Sequence, residues 1–253
     1  YEIMSSDWSS DVCSSDPLRG AVSGSLQFMD RFLDENGDNF SDIPKNNTAT
    51  FFGKLSWQPD GEEVFGLAAK YYYEDRWGGT REWRPEHRGS DEVYGESIYT
   101  NRVELMGRLR PDLFRGWKLD LSYAWHDQDA MYGDTPYIGE FHTYFGNLTR
   151  TGSLGRNHEY LVGLTARHLV HDDNTVATVQ RYDRFIPGVF VQDEYTPSDE
   201  LSFLGGMRLD HHKNHGTILS PRLSVRLRPT ESGRTTLRVN GGTGFRVVNA
   251  FSE

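Results

Sequence analysis

The chain has 253 residues, a formal net charge of −10 and an apolar fraction of only 36%, with 26 glycines and 13% aromatics. No apolar run reaches the ~18 residues that a membrane-spanning helix needs, and 27 basic against 37 acidic residues argue against a nucleic-acid partner. A spanning β-barrel stays open, because strands that alternate polar and apolar positions look hydrophilic on average, while this many Tyr, Phe and Trp speak against disorder.

Residues 1–18 read YEIMSSDWSSDVCSSDPL, with Ser-Ser-Asp at Ser5–Asp7, Ser9–Asp11 and Ser14–Asp16. The segment has no periodicity, no basic start and no apolar core, so it is not a signal peptide. It resembles a translated sequencing-adapter scar; a Ser/Asp-rich linker is the alternative. It is set aside as an artefactual or disordered leader, leaving 19–253 as the folded domain. Cys13, the only cysteine, goes with it, which leaves no thiol for a disulfide, a metal or a nucleophile.

From there the chain reads as strands. In Thr48–Gln58, Ala49, Phe51, Gly53, Leu55 and Trp57 share one face, with Phe52 the single apolar residue opposite. Trp117, Leu119, Leu121, Tyr123 and Trp125 repeat the pattern against Lys118, Asp120, Ser122, Ala124 and His126. Leu219, Pro221, Leu223, Val225 and Leu227 do so against Ser220, Arg222, Ser224, Arg226 and Arg228. Period two is a strand signal, since residues two apart on a helix point to different sides. Eleven strands are predicted, near 20–30, 48–58, 64–74, 97–110, 116–126, 140–150, 158–169, 185–195, 200–210, 218–228 and 234–245. Each is about 10 residues, the length of a tilted membrane strand rather than of a soluble one.

The connections alternate. Short turns are predicted at 59–63, 111–115, 151–157, 196–199 and 229–233, and longer loops at 31–47, 75–96, 127–139, 170–184 and 211–217. That is the layout of an antiparallel up-and-down transmembrane β-barrel in a bacterial outer membrane. Trp57, Tyr71, Tyr73, Tyr99, Trp117, Trp125 and Tyr195 lie near strand ends on the apolar face, as in interfacial girdles. Core aromatics of a soluble β-sandwich are the alternative. Single-chain bacterial barrels have even strand numbers and leave no open edge in lipid, so eleven strands predict a piece of a larger barrel.

Four phrases then fall in order on these strands. Phe190-Val191-Gln192-Asp193-Glu194-Tyr195 resembles the F-x-Q-D-E-aromatic strand of TonB-dependent outer-membrane receptors. Gly206-Met207-Arg208-Leu209-Asp210-His211-His212 is similar to their G-x-R-x-D-x-H strand, and Leu219-Ser220-Pro221-Arg222-Leu223 to L-S-P-R-L. Gly242-Thr243-Gly244-Phe245-Arg246-Val247-Val248-Asn249 resembles G-x-G-F-R-x-x-N. Asp75-Arg76-Trp77-Gly78-Gly79 and Tyr94-Gly95-Glu96-Ser97 look like the cobalamin- and siderophore-type branch found in Bacteroidota. The resemblance covers roughly 19–253. It implies about half of a roughly 22-strand barrel, and a parent that takes up a scarce ligand such as cobalamin or a ferric siderophore, without being an enzyme. The partners it implies are outer-membrane lipid, a plug domain, an inner-membrane energy-coupling complex acting through that plug, and a small-molecule ligand. No plug domain or energy-coupling box is read in this chain, so the fragment alone is not expected to transport.

Such a receptor needs binding and gating chemistry. By alternation Lys54, Lys70, Arg102, Glu104, Arg108, Asp120, Arg167, Arg208, Arg222, Arg226, Arg238 and Arg246 face the lumen. There the fork geometry of arginine suits carboxylates of a plug; solvation of the lumen is the alternative. Loop aromatics Trp77, Trp83, Tyr94, Tyr132 and Tyr137 are the candidates for touching ligand, offering flat apolar surface with a polar edge; loop packing is their bland alternative.

One loop has a metal-like spacing. Asp34, Asn36, Asp38 and Asp42 stand at relative positions 1, 3, 5 and 9, and Ca²⁺ takes roughly six to eight oxygen ligands. Gly37 falls at position 4 and Lys45 at position 12, so this is no EF-hand; it is closer to the D-x-N-G-D-x-x-x-D loop of integrin-type repeats. A structural Ca²⁺ is expected there, with an ordinary polar turn as the alternative. His211, His212 and His215 with Asp210 form a loose cluster, read as solvated loop histidines rather than a metal site. No nucleophile elbow, Walker A or dinucleotide motif occurs. His126 with Asp127 and Asp129 keeps an outer-membrane barrel enzyme in view, beside a small porin and a soluble calcium-dependent β-sheet binding module.

Overall fold

The computed structural model describes residues 4–8, 17–59, 62–111, 115–178, 180–229 and 235–246. Cys13, the centres of the turns at 59–63, 111–115 and 229–233, and Val247-Val248-Asn249 of the last phrase lie outside the described residues. Twelve strands are present among the described residues: β1 (Met4–Trp8), β2 (Leu18–Met29), β3 (Lys45–Trp57), β4 (Phe65–Gly79), β5 (Gly95–Leu109), β6 (Trp117–Tyr132), β7 (Thr135–Leu154), β8 (His158–Asp173), β9 (Tyr182–Ser198), β10 (Leu201–His212), β11 (Gly216–Leu227) and β12 (Leu237–Gly242). They form one sheet in which every strand pairs with its sequence neighbours. The only helical turn among the described residues is the 3₁₀ segment Pro85–His87.

All eleven predicted strands exist, and registers such as Leu18↔Trp57 through Met29↔Asn46 are antiparallel and unbroken. The twelfth, β1, falls in the leader set aside above, where Met4–Trp8 pairs with Val22–Leu26. A strand edge presents unpaired N–H and C=O groups that any extended segment can satisfy, whatever its side chains.

The predicted loops at 127–139 and 211–217 are overturned. β6 and β7 run on to a turn at Gly133-Asp134, and β10 and β11 to a turn at 213–215. Alternation marks a strand only while one face is apolar. Past the apolar band, Asp127, Asp129, Thr135 and Glu140 meet water on both faces, so a strand there reads as a loop.

The faces are inverted relative to a water-soluble sheet. Buried polar residues include Ser56, Thr100, Thr149, Thr165, Ser202 and Asp210, whereas Phe51, Leu55, Leu67, Leu164, Val191 and Leu223 are 42–58% exposed. Six such side chains, each about half exposed, would forfeit about 5–9 kcal/mol in water, at half of the roughly 1.5–3 kcal/mol of a fully exposed one, a large share of the stability of an ordinary domain. This face requires an apolar surrounding, which a sandwich core would have supplied by burying it. Contacts divide the chain into two compact units, 1–107 with 122–144 and 169–183, and 108–121 with 145–168 and 184–253.

Candidate ligand-binding site

In the first unit, the loop 30–44 that follows β2 is tied to the end of β4 and the loop 80–94 beyond it. Ser41 N donates to Gly79 O (3.0 Å) and Arg81 N to Asn39 O (3.3 Å); Phe40 bridges Thr80. The Asn39 side-chain amide donates to Glu82 Oε2 at 2.9 Å. That hydrogen bond, with one from the Glu82 backbone, holds the Glu82 carboxyl below the ordinary glutamate value.

Between the two loops lies a cavity of about 340 Å³ lined by Phe32, Lys45, Trp77, Arg81, Trp83 and Arg84, among others, with no carboxylate in its wall. Trp77 and Trp83 lie 4.9 Å apart, the Lys45 ammonium sits 4.4 Å over Trp77, and the Arg81 guanidinium 4.6 Å over Phe32. Arg84 Nη1 donates to the carbonyls of Arg81 and Trp83 (2.9 and 2.7 Å) and so fixes the turn that carries both. Lys45 is paired with Asp30 at 2.6 Å, and Arg81 and Arg84, which line the cavity, also feel the Glu82 carboxylate that lies outside its wall. Cations over aromatic faces suit a flat anionic ligand.

Of the five aromatics read as ligand contacts, Trp77 and Trp83 line this cavity, and the Tyr94 ring lies over Gly133, beside Tyr132. Trp83, however, is 3% exposed. It occupies the space over Gly95, where a Cβ would collide with its indole, so it packs the loop and offers a ligand little surface. Tyr94 is exposed; donation of its hydroxyl to Glu96 Oε1 at 2.8 Å pushes its phenol up. Tyr132 ends β6 exposed and Tyr137 is half-buried near the start of β7. Phe32, Lys45, Arg81 and Arg84 escaped the sequence reading; the alternation Arg81-Glu82-Trp83-Arg84 was the available signal.

The loop expected to hold calcium is closed by its own hydrogen bonds. Asp34 accepts the N–H groups of Gly37 (2.7 Å) and Asn39 (3.1 Å), Asp38 that of Phe40 (2.8 Å), and Asp42 that of Glu35 (2.7 Å). Asn36 and Asp38 bond each other. The oxygens serve turns, and among the described residues no three His, Asp or Glu side chains converge on a metal position. The histidine reading also changes. His212 is 1% exposed rather than solvated, and its Nδ1 accepts the Asn214 N–H at 3.1 Å, which places the ring proton on Nε2 and leaves no lone pair for a metal. His126 and Asp127, adjacent on β6, point to opposite faces, and Asp129 pairs with Arg88 at 2.7 Å; no catalytic pair forms.

The arginines expected on the polar face lie in both units. In the first unit Arg102 and Glu104, 2.6 Å apart, line a concavity with Lys70, Arg76 and His126. In the second, Arg108 and Lys118 share Asp120 at 2.8 and 2.9 Å, while Arg167, Arg208 and Arg222 line one cavity. Arg238 stands opposite Arg226 in the β11–β12 register. Arg246 follows β12 and is exposed.

Comparison with known proteins fits this geometry. Residues 14–252 match the family model described as TonB dependent receptor-like, beta-barrel. Among solved structures, the siderophore receptor PirA from Pseudomonas aeruginosa has a TM-score of 0.63 at 14% identity, covering 98% of this chain and 39% of that one. The ferric enterobactin receptor (PfeA) of the same organism gives 0.58 at 15% identity, covering 88% and 39%. PirA from Acinetobacter baumannii gives 0.58 at 12%, covering 87% and 37%. At these identities the likeness concerns the fold, and the chain spans less than two-fifths of each of those structures. No curated protein sequence matches. With the family match running through nearly all of a sheet whose large apolar side chains stand exposed, the chain belongs to the TonB-dependent receptor β-barrel family.

Proposed function

We propose that this chain is the ligand-gathering part of a bacterial outer-membrane receptor that takes up an anionic metal chelate of the ferric-siderophore type. Uptake would draw on an inner-membrane energy-coupling complex acting through a plug domain of the parent protein. The observation that carries the ligand class is the loop cavity of the first unit, where Arg81 and Arg84 stand beside Trp77 and Phe32 with no carboxylate in the wall, in a chain whose overall charge is −10. Cations concentrated against that background select an anion with flat rings. Cobalamin, the other ligand suggested by the sequence, carries no comparable block of negative charge, and this lining favours it less.

The test is tryptophan fluorescence of the chain in detergent micelles, titrated with a ferric tris-catecholate and separately with cyanocobalamin. Saturable quenching by the chelate is expected. The double variant Arg81→Gln/Arg84→Gln weakens binding at least about tenfold, because loss of one charge-assisted contact is worth roughly 1.5–3 kcal/mol. Equal response to cyanocobalamin, or chelate binding indifferent to the two arginines, overturns the assignment.

A further inference from the structure

On the apolar face of the first unit, one carboxylate stands among aromatic rings of β6 and β7. Trp125 Nε1 donates to Glu140 Oε1 at 3.1 Å, and His142 Nε2 lies 3.3 Å from the same oxygen. The other ring nitrogen, Nδ1, meets the Tyr123 hydroxyl at 3.1 Å. A single ring proton, on Nε2, serves both contacts: the ring donates to the carboxylate and accepts the Tyr123 hydroxyl. His142 then brings no charge to offset Glu140. Tyr144, 44% exposed, closes the cluster, 4.9 Å from the Tyr123 ring and 6.4 Å from the His142 ring, to which it lies within 12° of parallel.

The Glu140 side chain is 54% exposed. Among the described residues no lysine or arginine pairs with it, and only its Oε1 is engaged. On β6 the apolar alternation through Tyr123 and Trp125 gives way to Asp127 and Asp129, so the cluster stands at the border of the apolar band, the level of lipid headgroups. A charge at that level is stabilised by a counter-ion. Three rings beside a single carboxylate suit an ammonium, which the carboxylate pairs and the ring quadrupoles attract. Ca²⁺ asks for roughly six to eight oxygens, whereas no three His, Asp or Glu side chains converge on a metal position among the described residues.

We propose that Glu140, with Tyr123, Trp125 and Tyr144 around it, binds the primary-amine headgroup of a membrane lipid. The amine donates to Oε2 and rests against the rings, and the acyl chains follow the apolar face. The assignment uses the receptor reading only in taking this face as the one that meets lipid. His142 and the Trp125 indole are positioning groups, which hold Oε1 and leave Oε2 for the guest.

The test follows the indole N–H resonance of Trp125, identified by its loss in Trp125→Phe, in the full chain in maltoside micelles. The probes are dihexanoyl phosphatidylethanolamine, the matching phosphatidylcholine and free ethanolamine. The primary-amine lipid shifts the resonance saturably and binds about tenfold tighter than phosphatidylcholine, which has the same phosphate, chains and net charge but no N–H to donate. Ethanolamine, lacking chains, binds more weakly than the lipid. Glu140→Gln keeps an acceptor for Trp125 without the charge and collapses the preference. Tyr144→Leu keeps an apolar side chain without the ring and lowers affinity about two- to fivefold. Equal affinity for the two lipids overturns the proposal, and this comparison needs only the wild type. So does a preference that survives Glu140→Gln. Ethanolamine binding as tightly as the lipid would make this a free-amine site and refute the lipid. Chelate quenching of the loop tryptophans in the same samples reports the proposed function separately, so either can fail while the other stands.

Discussion

Asp210 illustrates how much one glycine can decide. Its carboxylate lies in the room left by the missing side chain of Gly188 and beside the Thr165 hydroxyl, so three strands, β8, β9 and β10, meet at one ion-paired group. Gly188→Ala evicts the carboxylate, and Asp210→Ala removes it; each severs the same Arg208 contact. Each is expected to cost about 1–3 kcal/mol, from overpacking in one case and a lost charge-assisted pair in the other. Arg208 is 39% exposed on its side chain, and water then softens its loss of partner. The double variant should cost clearly less than the sum; additive losses in detergent unfolding curves would mean that the two residues act separately. Half of this was legible in the sequence. Arg208 and Asp210, two apart on a strand, had to share a face. That Gly188 supplies the hole was not, because it depends on the β9–β10 register, Asp210↔Gly188, which no local pattern encodes.

At the scale of elements, the apolar stretches of the strands were readable and their extensions were not. β7 spans Thr135–Leu154 against a predicted 140–150, because its first residues have no apolar face to alternate against. Loops were the least legible, since their order comes from partners distant in sequence. Spacing alone did not show that the Asp34–Asp42 loop uses its carboxylates to cap its own amides, or that its Asn39 reaches Glu82, 43 residues on. That tie makes a pH prediction. The folded-state carboxyl of Glu82 lies below its ordinary value of 4.5. The contact therefore stabilises the loop pair fully at pH above 4.5 and is lost as pH falls through the depressed folded value. The Asn39 side-chain amide resonance should step in that acid range in the wild type and stay level in Glu82→Gln, which keeps an acceptor without titrating. A step that persists in the variant would assign the transition to another group.

For the molecule as a whole, the governing fact is which way the apolar face looks. A membrane strand and one half of a soluble sandwich share the same period-two text, and the sequence separates them only through the sorting of connections and the motif phrases. In the folded sheet the distinction is physical: Leu164 and Leu223 stand 56% and 58% exposed while Thr165 and Ser202 are buried. If lipid is the solvent of that face, Leu223→Arg should cost about 2–4 kcal/mol near the bilayer midplane. Ser220→Arg, three residues away on the polar face beside Arg222, should cost little, since a charge there stays hydrated. Folding of the two variants into bilayers against the wild type measures the difference directly. In a protein whose apolar face met water the ranking would invert, because an exposed Leu→Arg change relieves unfavourable surface while Ser220→Arg keeps the same small cost. The sign of that difference, more than its size, therefore decides which solvent the face was built for.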